Sequence, residues 1–220
     1  MGKSKLMPIL FLSLFVFLYS QDNKIIDYQY KIDSLRYLSN KFPERGIRYA
    51  REILKQSYNG KPHPLEHKIL NSLGEIYLQL GLNTEALTYF IDAEAQIKLA
   101  DPKKKFPWLK INIGNVYYQQ EKYIKAREYY LDAFDIFSSW KKSASNTITG
   151  KSVALSNLGR IEKKIKNYDK ALDYFLKALD VKRESLDYQL FLKDPNKVNK
   201  KFGVLKNVAN QHLLIAYLYI

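Results

Sequence analysis

His63-Pro64-Leu65-Glu66-His67 is the string in this chain whose residue types come nearest to hydrolytic chemistry. Two imidazoles and a carboxylate at the spacing H-x-x-E-H match an inverted zinc-peptidase motif. Such a site needs both histidines one turn apart on one helical face. Asn59, Gly60, Pro62 and Pro64 instead place His63 in a loop or at a helix start, with His67 at the first position of the helix that follows. A zinc-dependent peptidase is therefore a remote alternative. The only other histidine is His212, and cysteine is absent, which excludes a disulfide framework and thiolate metal sites. The nine glycines are scattered and form no phosphate loop. Asp132, Asp135, Asp173 and Asp180 read as solvated helix faces beside lysines. The expectation is a non-enzymatic chain with no catalytic residue, no metal and no cofactor.

The elements that carry these residues come next. The chain has 220 residues, a formal net charge of +14, 46% hydrophobic and 26% charged residues. That balance suits a globular chain, because disorder needs lower hydrophobicity. Lys3 and Lys5 precede an apolar stretch from Leu6 to Tyr19, and Ser20-Gln21 offers a cleavage point. Spanning a bilayer takes roughly 20 apolar residues, and this run is shorter and holds Pro8. Residues 1–20 are expected to be a signal peptide, with retention as an anchor the alternative, since Leu18 is large for its place before the cut. The expected location is the periplasm or cell envelope of a Gram-negative bacterium. Losing Lys3 and Lys5 takes the charge from +14 to +12, so the remainder stays basic.

Residues 21–220 are dominated by an internal repeat. "NSLGEIYLQLGLNTEALTYFIDA" starts at Asn71, "INIGNVYYQQEKYIKAREYYLDA" at Ile111 and "SNLGRIEKKIKNYDKALDYFLKA" at Ser156, with a weaker copy at Ile32. One small-residue column reads Ser34, Gly74, Gly114, Gly159, at offsets of 40, 40 and 45 residues. The others read Tyr37, Tyr77, Tyr117, Glu162; Gly46, Ala86, Ala126, Ala171; Ala50, Phe90, Tyr130, Phe175; and Ile53, Ala93, Ala133, Ala178. Two helices cross closely only where the facing side chains are small. The aromatic column fills the space beside that crossing, and the last alanine lets the next pair dock. Apolar residues recur at helical spacing, as in Leu70, Leu73, Tyr77 and Leu80. Lys41-Phe42-Pro43, Gly81-Leu82-Asn83 and Lys166-Asn167 mark the turns between paired helices.

These columns resemble the tetratricopeptide repeat family from roughly Asp27 to Leu186. The resemblance implies an all-α, right-handed α-solenoid of antiparallel helix pairs, with repeats at about 27–60, 67–100, 107–140 and 152–186. The chain departs from the family in its period, usually about 34 residues, in lacking the proline near the repeat end, and in Glu162. A partial repeat at 197–220 ends on the unpaired apolar helix "NVANQHLLIAYLYI", a candidate surface for self-association.

The resemblance also implies that first helices line a concave groove for a protein or peptide partner. Groove positions carried over include Lys68, Asn71, Glu75, Leu78 and Gln79; Trp108, Ile111, Asn115, Tyr118 and Gln119; and Val153, Ser156, Arg160, Lys163 and Lys164. Asn71, Trp108, Asn115, Tyr118, Asn157, Arg160 and Lys164 are the candidate binding residues. Trp108 and Tyr118 offer aromatic faces of the kind interfaces favour. One family branch grips a peptide carboxylate with lysine and asparagine, but Asn71 and Ile111 stand where its lysine is required. Lys103, Lys104 and Lys105, Lys141, Lys142 and Lys151, and Lys193, Lys197, Lys200 and Lys201 fall in connections, a basic rim suited to an anionic envelope surface. No nucleic-acid motif is present. The function expected is a protein-interaction module, the sensory or scaffold part of a longer signalling protein; the alternative is a stand-alone envelope assembly scaffold.

Overall fold

The computed structural model describes residues 27–57, 65–140 and 145–183. The expected signal peptide, His63, the lysines at 141–142 and beyond 183, and the apolar helix at 207–220 lie outside the described residues. The chain divides into two compact units between Pro102 and Lys103.

The first unit holds α1 (27–41), α2 (Pro43–Ser57), α3 (Glu66–Gln79) and α4 (Asn83–Ala100). The second holds α5 (Pro107–Gln119), α6 (Tyr123–Ser139), α7 (Ser145–Lys164) and α8 (Tyr168–Arg183). No strand occurs among the described residues. Helices pair along the chain, α3 with α4, α5 with α6 and α7 with α8, while α2 also packs on α3 and α6 on α7. Among the described residues no helix is long and apolar enough to cross a membrane.

The turns inside the pairs share one geometry. Gly81, Glu121 and Lys166 hold the same repeat position and adopt φ of 75°, 59° and 63°. In each turn the next amide reaches back to close the helix: Leu82 to the Tyr77 carbonyl, Lys122 to Tyr117 and Asn167 to Glu162, at 2.8 to 2.9 Å. This is the left-handed helix stop, which glycine adopts without steric cost and other residues do not. Pro43 opens α2 and Pro107 opens α5, where a missing N–H costs nothing.

The small and aromatic columns meet as the repeat predicts. Ala86, Ala126, Ala171, Phe90, Tyr130, Phe175, Ala93, Ala133 and Ala178 are all at most 1% exposed. The glycine column contacts the aromatic column directly. A Cβ on Gly114 would sit 2.6 Å from the Tyr130 ring, and one on Gly74 2.4 Å from Phe90. The 45-residue offset goes into α7, which has 20 residues against 13 in α5. Its added N-terminal turns lie on Phe137, which a Cβ on Gly150 would approach to 2.2 Å. Repeat counting alone did not reveal that contact, because Gly150 has no counterpart in the other copies.

Candidate functional site

The second unit gathers most of the candidate residues on the adjoining faces of its two first helices, α5 and α7. Three bridges join these helices. Trp108 Nε1 donates to Asn146 Oδ1 at 3.0 Å. Asn157 Nδ2 donates to Asn115 Oδ1 at 3.2 Å. The Arg160 guanidinium lies over the Tyr118 ring, 4.8 Å from its centroid. That spacing is a cation–π contact.

Each side chain is aimed by the helix beneath it. Tyr130 of α6 donates its hydroxyl to Asn115 Oδ1 at 2.8 Å. The Asn115 oxygen thus accepts from both Tyr130 and Asn157, which fixes the amide, and neither bond uses its NH₂ donor. Burial pushes the Tyr130 phenol well above its ordinary value, partly offset by the Arg160 charge. Trp108 is half-buried, with its ring edge-on to Phe137 at 5.4 Å and Phe137 edge-on to Trp140 at 5.4 Å. Tyr118 is held by Tyr123 at 5.7 Å. Asn157 is buried, whereas Arg160 and Lys164 are exposed.

The electrostatics have one sign. α5 contains no acidic residue, and the only one in α7, Glu162, is 1% exposed. Glu162 pairs with Arg127 of α6 and lies 3.7 Å from Lys170 of α8. The face therefore presents the Asn115 amide, the Arg160 guanidinium and the Lys164 ammonium, all donors. It suits hydrogen-bond acceptors: carbonyls of an extended chain, or carboxylates.

Asn71 belongs to α3 in the first unit and donates to Glu75 Oε1 at 2.8 Å. Ile111, carried over as a groove position, is 2% exposed and packs in the core cluster with Ala154 and Leu158 of α7. It supports the face from below. Asn146 and Arg127 are residues that the sequence did not single out, and Tyr130 was read there as a packing aromatic, not as the hydrogen-bond donor to Asn115. Glu162 was its one signal there, a carboxylate where the other copies carry tyrosine. Of the zinc-like string, Glu66 and His67 are described and buried, and no cluster able to hold a metal ion occurs among the described residues.

Solved structures with the same arrangement include BtubC from P. vanneervenii, at 16% identity and a TM-score of 0.56, covering 90% of each chain. The yeast histone chaperone Hif1, described as a scaffold protein recruiting protein complexes to core histones, matches at 11% identity and a TM-score of 0.59, covering 91% of this chain and 98% of its own. These identities carry the fold alone. No curated protein matches in sequence. Two family models, each described as Tetratricopeptide repeat, match residues 34–101 and 106–184, together about two-thirds of the chain. With its small and aromatic columns seated as helix pairs, this chain belongs to the tetratricopeptide repeat family, whose fold serves as a protein–protein interaction scaffold.

Proposed function

We propose that the chain is an exported interaction module which holds an extended segment of a partner protein on the α5–α7 face, as the sensory or scaffold part of a longer signalling protein. The observation that carries the binding reading is the acid-free, donor-lined face built around Asn115 and Arg160. Asn115 donates to backbone carbonyls of the segment, while Arg160 and Lys164 meet its acidic groups. Tyr118 keeps the Arg160 fork in place, which lowers the cost of ordering it.

Export is supported by Lys3, Lys5 and the apolar run from Leu6 to Tyr19, and on this reading the chain works in the periplasm or envelope of a Gram-negative bacterium. The basic connections, with Lys103, Lys104 and Lys105 exposed, add an affinity for anionic envelope surfaces. Affinity capture from envelope extracts tests the reading, with the chain from Gln21 onward as bait and the Asn115→Ala/Arg160→Ala variant as control. A partner lost in the control supports the face. A partner retained equally by both contradicts it. An alkaline phosphatase fusion that stays inactive would contradict export.

A further inference from the structure

Two joints in the chain show how a second helix closes over the first helix of the next pair. In the first unit, Tyr77 of α3 stacks on Tyr89 of α4, with centroids 5.3 Å apart and planes at 11°. Arg51 of the preceding α2 donates to the Tyr77 hydroxyl at 2.8 Å. In the second unit, Glu162 holds the same column as Tyr77, and Arg127 of the preceding α6 pairs with it. At both joints a guanidinium from the preceding second helix meets the column residue.

Helix α1 presents the same face with no helix before it among the described residues. Tyr37 and Tyr49 hold the positions of Tyr77 and Tyr89. Tyr37 is 61% exposed and Tyr30 71%, whereas Tyr77 is 7% exposed. Tyr30, Asp33, Ser34, Tyr37, Leu38 and Tyr49 line an open pocket of about 560 Å³. Asp33 stands where the other first helices carry Leu73, Ile113 and Leu158, each at most 1% exposed. A carboxylate thus occupies the place of a core aliphatic, on the face that receives an arginine at both of those joints. Its present contacts are exposed ones, Gln29 and Arg36 at 3.3 Å, of the kind that contributes little.

We propose that this end face docks an arginine-bearing amphipathic helix of another protein, laid on α1 as α2 is laid on α3, with the guanidinium between the Tyr37 hydroxyl and the Asp33 carboxylate. Arginine fits better than lysine, because its planar fork stacks on tyrosine while bonding a carboxylate. Residues 1–26, 58–64, 141–144 and 184–220 contain no arginine, so none of these segments supplies the guanidinium. The site shares no residue with the α5–α7 face and does not depend on it.

The probe is a labelled, helix-stapled peptide of the α2 sequence, residues 43–57, titrated with the full chain. The expected result is saturable binding that weakens at least about tenfold when the peptide carries Arg51→Ala, the loss of one charge-assisted contact. The same loss is expected for Asp33→Asn or Tyr37→Ala in the protein, with folding of each checked by thermal melting. Equal binding of both peptides, or of neither, overturns the proposal. The chain has no cysteine, so Tyr37→Cys gives a single thiol. Rapid maleimide labelling of that thiol in the free chain, slowed by the peptide, supports an open face. Slow labelling in the free chain means that its own N-terminal segment or a second copy already covers α1, and overturns the proposal.

Discussion

Ser152 of α7 is fully buried, and its hydroxyl has no hydrogen-bond partner among the described residues. A buried polar group left unpaired costs more than a methyl of similar size. Ser152→Ala is therefore expected to stabilise the fold by about 1 kcal/mol in a denaturant titration. Arg127→Ala acts the other way. It strips the buried Glu162 carboxylate of its nearest cation, and a loss of about 3 kcal/mol is expected from breaking a buried pair. Tyr130 links stability to pH. Its folded phenol ionises above the ordinary value because of burial. An unfolded tyrosine ionises at about 10. Below that pH both states keep the proton, and above it only the unfolded state loses it, so stability falls as pH rises past about 10. Tyr130→Phe is expected to flatten that alkaline loss while costing about 1 kcal/mol at neutral pH for the Asn115 hydrogen bond. Equal alkaline slopes would contradict the buried phenol. Glu162 stood out in the sequence because it broke a column. Its partner Arg127 did not, because an arginine on a helix reads as surface until the next helix is placed against it.

At the scale of elements, the helix pairs were legible because small and large residues must alternate where helices cross. Gly114 and Tyr130 are separated by 16 positions, yet each requires the other. Gly114→Ala would drive a Cβ into the buried ring at 2.6 Å. Overpacking of that kind is expected to cost about 2 kcal/mol in thermal or chemical melts. The turns were legible as positions, but their conformation was visible only where glycine marks it. Gly81 does, whereas Glu121 and Lys166 take the same left-handed backbone with a side chain. Glu121→Gly is expected to stabilise by about 1 kcal/mol, by relieving that strain. The extension of α7 was hidden, because Asn146 and Gly150 have no equivalents in the other copies. It draws Trp108 into a contact with Asn146, while Ala154 and Leu158 further along α7 enclose Ile111, so one groove position became a bridge and another became core. Spacing gives the face of a helix on which a residue sits; it does not tell which neighbour will claim it.

At the scale of the whole molecule, the sequence carried the family and the interaction role through its periodicity. The division at Pro102–Lys103 was not read from it, since Lys103, Lys104 and Lys105 resemble any basic connection. The proposed function rests on the donor-lined surface between α5 and α7, and site-directed photo-crosslinking tests that surface most directly. A photo-reactive amino acid is placed at Gln119 or Lys164 on the α5–α7 face, and at Ile124 or Lys177, exposed on the second helices. Each chain is irradiated in the cells that make it, and adducts are identified by mass spectrometry. The account predicts adducts with one partner protein at positions 119 and 164, lost when Arg160→Glu is added. Adducts confined to positions 124 and 177, or unaffected by Arg160→Glu, would contradict it.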